Sequence, residues 1–187
     1  MSAHAHQPEH SSTTSYDAAH DTEPEHNAEI LVLTPRSAEP DGTEMDTDIA
    51  DYWELWSEQI GRALVPVLDK LAATLPSFSS AMICTADGFN LCTLGVDEDQ
   101  VTRLSAMTSS LHSIADVMST SVHDGDDLLD IVSLTNGSSS TVLMAIRSLI
   151  IGQVLLWVTA EQVPLGALLM RGRVAARDIR TILADAR

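Results

Sequence analysis

Lysine is almost absent from this sequence: Lys70 stands alone against nine arginines and 27 acidic residues in a chain of 187. A formal net charge of −17 argues against broad nucleic-acid binding, which needs a basic footprint. The phosphate-cradling GxxxxGK[ST] loop does not occur, and neither do GxGxxG, HExxH, GxSxG or CxxC. Cysteine is limited to Cys84 and Cys92, too few for a structural zinc site or a disulfide framework. No apolar run approaches the roughly 18 residues of a membrane span. The opening MSAHAHQPEH has neither the basic start nor the apolar stretch of a secretory signal. These absences set the expectation of a cytoplasmic protein with no integral membrane segment, no metal and no cofactor.

What is present divides unevenly. Residues 1–48 hold eleven acids against one base, Arg36, a charge of −10, and five of the seven histidines. Rich in Ser, Thr, Pro and acids and without a period, they read as a disordered acidic, histidine-rich tail. Ile30-Leu31-Val32-Leu33 interrupts it, either as a chance apolar run or as a short linear motif for a partner's groove or sheet edge. If Met1 is removed, Ser-Ala-His presents a nitrogen set of the kind Cu(II) or Ni(II) accepts, though plain histidine richness accounts for the same letters.

From Ile49 the helical period begins, with Tyr52, Trp53, Trp56, Ile60 and Leu64 at three- and four-residue steps. Residues 49–63 read as an amphipathic Trp-containing helical extension and 64–185 as the domain. Pro66 predicts a break near residues 63–65, and Pro76 a stop. Trp53 and Trp56 either pack back on the domain or form a partner-docking stripe.

In CTADGFNLC, residues 84–92, Asp87-Gly88 predicts a β-hairpin because its turn needs a positive φ. A two-residue turn puts Cys84 and Cys92 on opposite faces of the sheet, and a three-residue turn puts them on one face. Neither register makes a disulfide the natural outcome. A helix follows over about 98–122, with Val101, Leu104, Met107 or Thr108, Leu111, Ile114, Ala115 and Met118 on an apolar stripe. Ser105, Ser109, Ser113, Asp116 and Ser119 lie opposite, short enough to admit a close neighbour. Strands are predicted over 128–134, 141–147 and 152–159, with Ser138–Ser140 lengthening the loop after Asn136-Gly137. Pro164 then opens a closing helix on which Arg173, Arg177 and Arg180 cluster, fitted either to local acids or to an acidic partner. His123, Asp124, Asp126, Asp127 and Asp130 form an acidic loop that lacks the ligand spacing of a calcium site. His112 and His123 have no partner at the spacing of a catalytic triad or a metal cage.

The order is helix, two strands, helix, three strands, helix: an α+β sandwich with an antiparallel five-stranded sheet covered by helices. On the TADGFNL hairpin, the Gly95-Val96-Asp97-Glu98 entry to a Leu/Ser/Ala helix, and the three strands with a closing helix, the stretch from about Leu64 to Leu183 resembles the dynein light-chain roadblock family. That resemblance implies a profilin-like sandwich that is not an enzyme and forms homodimers or heterodimers. Its expected partners are a Ras-like small GTPase, whose hydrolysis it modulates, or a signalling scaffold. A two-fold contact must be self-complementary, and the small residues of the central helix place Ser105, Ser109, His112, Ser113 and Asp116 near it. Period alone leaves open which face of that helix meets the partner. The alternative is a PAS-like small-molecule sensor lined by Met82, Met107, Met118 and Met144.

Overall fold

The computed structural model describes residues 52–122 and 130–185. The tail, with Ile30–Leu33 and its histidines, and the acidic loop 123–129 lie outside those residues. The described chain runs α1 (Trp53–Thr74), β1 (Phe78–Thr85), β2 (Asn90–Leu94), α2 (Glu98–Val122), β3 (Ile131–Asn136), β4 (Ser139–Ser148), β5 (Gly152–Glu161) and α3 (Leu165–Asp185). The strands form one antiparallel sheet in the order β2-β1-β5-β4-β3. The expected α+β sandwich is the architecture observed.

β4 and β5 are buried almost without interruption, from Val142 to Met144 and from Val154 to Leu156, because both faces of the sheet are covered there. One face meets α1 and α3. Ile60, Leu64, Leu68 and Leu71 of α1 and Leu168, Ala175, Ile179 and Leu183 of α3 enclose Ile83, Val142, Met144, Ile146, Val154 and Leu156. The other face meets α2 through a smaller cluster, Met82, Cys84, Leu143 and Leu155, with Leu104 and Leu111 at its margin.

α1 does not break at Pro66; it runs unbroken for 22 residues. Pro66 and Arg62 both lie on the exposed side, where the Arg62 carbonyl that loses its N–H partner is open to solvent. Trp53 and Trp56 are half-buried against the main core, and the Trp53 ring sits 5.8 Å from that of Phe89.

The hairpin resolves the cysteines in a way neither simple register predicts. Thr85 N–H donates to Phe89 O and Cys84 pairs with Asn90, as in a three-residue turn. One residue further, a β-bulge at Leu91 brings Cys92 opposite Ile83. Cys84 therefore faces α2, and Cys92 faces the α1–α3 core. At the next hairpin, Ser139 pairs with Asn136, so Ser139 and Ser140 belong to β4 and do not lengthen the loop. Gly137 alone of the two central residues has a positive φ, +59°, the pattern of a type II′ turn.

α1 approaches β2 so closely that a Cβ on Gly61 would lie 2.3 Å from the Leu91 carbonyl oxygen. Since that oxygen is backbone, the helix must shift. Gly61→Ala is expected to destabilise the chain by about 1–3 kcal/mol, the usual range for overpacking, measured by urea denaturation of the full-length protein.

Candidate partner interface

α2 begins where the Gln100 N–H donates to Asp97 O at 2.9 Å, with Glu98 and Asp99 in the first turn complementing the helix dipole. Its buried positions are Ser105, Thr108 and His112. This is the line that packs on the sheet, and it carries hydroxyls and an imidazole. Ser105 donates to Val101 O at 2.9 Å and touches Met82 Sδ at 3.3 Å. Ser109 donates to Ala86 O at the tip of the β1–β2 hairpin. Gly88 of that tip, at φ +86°, would set a Cβ 3.3 Å from Ala106 Cα, so a side chain there would both strain the turn and press on α2. Ser110, Ser113, Thr120 and Ser121 bond carbonyls three or four residues back, which uses their hydroxyls within the helix.

The apolar residues of α2 are displaced from that line. Met107, Leu111, Ile114, Met118 and Val122 recur at steps of three and four and lie roughly a third of a turn round the helix from Thr108. Met107, Ile114, Met118 and Val122 are exposed, Ile114 by 60% and Met118 by 65%, and Val117 beside them by 57%. The sheet next to this stripe is incompletely covered. A row of aligned residues, Val132, Leu143, Trp157 and Met82, crosses β3, β4, β5 and β1 on the α2 side. Met82 and Leu143 are buried, Trp157 and Val132 half-buried, and Leu134, further along β3, is exposed. β3 pairs only with β4, so its outer edge is unpaired among the described residues.

The anticipated interface residues are therefore divided. Ser105 and His112 are buried on the sheet side, Ser109 is half-buried at the hairpin, Asp116 is half-buried and Ser113 is exposed. Trp53 and Trp56 pack against the α1–α3 core, with Trp53 against Phe89. Arg173, Arg177 and Arg180 are exposed on α3, on the opposite side from α2. Sequence reading missed Val117, Val122, Leu134 and Trp157. Three polar residues at helical spacing, 105, 108 and 112, beside large apolar neighbours were the available signal.

The four methionines of the sensor alternative do not share a space. Met82 and Met144 lie on opposite faces of the sheet, and Met107 and Met118 are outside α2. No group of three or more metal-ligating side chains occurs among the described residues. Nor does any helix among them have the length and apolarity to cross a membrane.

No protein-family model matches the sequence, and no curated protein matches it. Solved structures do match. A roadblock/LC7 domain from Streptomyces avermitilis is 22% identical, with a TM-score of 0.55 over 62% of this chain and 92% of that one. Myxococcus xanthus MglB is 14% identical, with a TM-score of 0.59 over 68% and 92%. An MglB structure described as having a tetrameric arrangement is 15% identical, with a TM-score of 0.58 over 68% and 93%. The chain has the roadblock-type fold. Within that fold the matches cover almost the whole of each neighbour, while about a third of this chain falls outside them.

Two measurements check the site. Thr108 Oγ1 is buried with no partner among the described residues. Replacing a buried unsatisfied hydroxyl by a methyl removes a desolvation cost, so Thr108→Val is expected to raise stability by about 1 kcal/mol in thermal or urea unfolding. Burial pushes both cysteine thiols up from 9.0 to about 12. At pH 8 only about one in ten thousand is thiolate, so a disulfide reagent is expected to label neither until the chain unfolds. Because the folded state favours the neutral thiol, the associated stability is complete below pH 9 and declines as pH rises from 9 toward 12.

Proposed function

We propose that this chain is a non-enzymatic cytoplasmic regulator or adaptor that works as a homodimer and binds a Ras-like small GTPase or a signalling scaffold. The observation that carries the reading is the outward apolar stripe of α2 beside an unfinished sheet. Met107, Ile114 and Met118 on the helix, with Leu134 and Trp157 on the sheet, form an apolar surface of the kind that marks an interaction site. A second copy related by a two-fold axis offers the same helix and the same β3 edge in return, which is the self-complementarity a closed dimer requires. Ser113 and Asp116 lie on the other flank of α2 from that stripe, while Ser105 and His112 support α2 from the sheet side.

The GTPase part of the reading is supported by the roadblock-type fold and by the MglB likeness. The chain would act on the GTPase's own site by holding it in a particular shape. Arg103 and Arg147 are exposed, and no geometry assigns either to a nucleotide.

The full-length protein is expected to sediment as a dimer at micromolar concentration. Ile114→Glu is expected to produce a folded monomer with an unchanged circular-dichroism spectrum. The small GTPase encoded nearest to this gene, loaded with GDP or a non-hydrolysable GTP analogue, should be retained by the wild type and released by Ile114→Glu. A monomeric wild type would overturn the dimer, and retention of no nucleotide form would overturn the GTPase reading.

A further inference from the structure

The face opposite α2 carries a second surface, and it is cationic. Arg62 is paired with Glu58 and Lys70 with Asp178. Arg147, Arg173, Arg177 and Arg180 have no carboxylate partner among the described residues. Arg173, Arg177 and Arg180 stand at i, i+4 and i+7 on the exposed side of α3, flanking its buried line of Leu168, Gly172, Ala175, Ile179 and Leu183. Like charges at these spacings repel, and of the two acids on α3, Asp178 is paired with Lys70 and Asp185 forms no ion pair with the three arginines. Arg180 also joins Arg147 in lining an open groove of ≈ 380 Å³, completed by Ser148, Leu149, Ile150, Leu183 and Ala184. The β4–β5 turn forming one wall is held in shape by Ser148 Oγ, which accepts from the Ile150 and Ile151 N–H groups at 3.2 and 3.4 Å. Leu149 stands 89% exposed on that turn.

We propose that this ridge and groove dock an acidic segment of a partner polypeptide. Its carboxylates lie along Arg173, Arg177 and Arg180, and an apolar side chain seats against Leu149 and Ile150. The three arginines span about 10 Å of helix axis, the reach of a short segment. A nucleic acid or an anionic membrane extends further and meets the remainder of a domain whose residues 49–187 carry sixteen acids against nine bases, a net −7. Beyond the ~8 Å Debye length the ridge is screened, so a long polyanion gains little from it. The surface stands on the α3 side and does not depend on the dimer proposed for α2.

The test is a fluorescence-anisotropy titration of the full-length protein with a labelled peptide, Glu-Glu-Leu-Asp-Glu-Leu-Glu-Glu. Saturable binding is expected at low salt, with loss at ~0.5 M NaCl. The triple variant Arg173→Glu, Arg177→Glu, Arg180→Glu should weaken it at least about tenfold with an unchanged melting temperature. Leu149→Ser should weaken it severalfold, and Ile114→Glu should leave it intact, which separates this surface from the dimer. No binding by the wild type, or equal binding by the triple variant, would overturn the proposal. So would binding of a 20-residue oligothymidine or of phosphatidylglycerol vesicles as tight as that of the peptide.

Discussion

A sheet of five strands has two faces to bury, and one helix cannot cover either of them. At about 4.8 Å per strand the sheet is roughly 20 Å wide between its outer strands, whereas a helix with its side chains covers about 10 Å. On one side two helices, α1 and α3, divide the work, and their joint core runs from Ile60 to Leu183. On the other side α2 is alone and lies over Met82, Cys84 and Leu155. β3 and the outer part of β4 are left with Val132, Ala145 and Leu134 on that same side of the sheet but beyond the strip it covers. The exposed stripe of α2, the half-buried Trp157 and the unpaired β3 edge are parts of one geometric shortfall.

The order of elements was legible in the sequence because local chemistry enforces it. Gly88 supplies the positive φ its turn needs, Pro164 is tolerated at a helix start but not in a helix interior, and Gly137 and Gly152 punctuate β3, β4 and β5. Pro66 was misleading. A proline breaks a helix when its missing hydrogen bond falls in a dry place, and on the exposed side of α1 that condition fails. The cysteines depended on a bulge at Leu91, where β2 also meets Gly61 of α1 at close range, a contact between segments that the nine letters around them do not contain.

The site was less legible, and α2 shows why. Amphipathic periodicity assigns the apolar stripe to the interior, a rule that presumes a single interior. Ser105, Thr108 and His112 lie inward because short or flat side chains let the helix sit low on Met82 and on the hairpin tip at Gly88. The bulky residues are thereby left for a different surface. Leu134 and Trp157 could not be joined to that stripe from sequence, since their proximity follows from strand order. The arginines of α3 were visible as a group, but the groove with Arg147 needed the β4–β5 turn to be placed beside the end of the helix.

The bulge at Leu91 also bears on the proposed pairing of copies of this chain. It spoils the regular spacing of N–H and C=O groups on β2, at one end of the sheet, while β3 at the other end stays regular. A sheet with two good edges could add copies without limit and grow into a fibre. With one regular edge among the described residues, a copy that paired through β3 would occupy it. In the proposed dimer, pairing through β3 would leave only the bulged β2 edges outermost, so the irregularity that separates the cysteines would also oppose further growth along the strand-stacking direction.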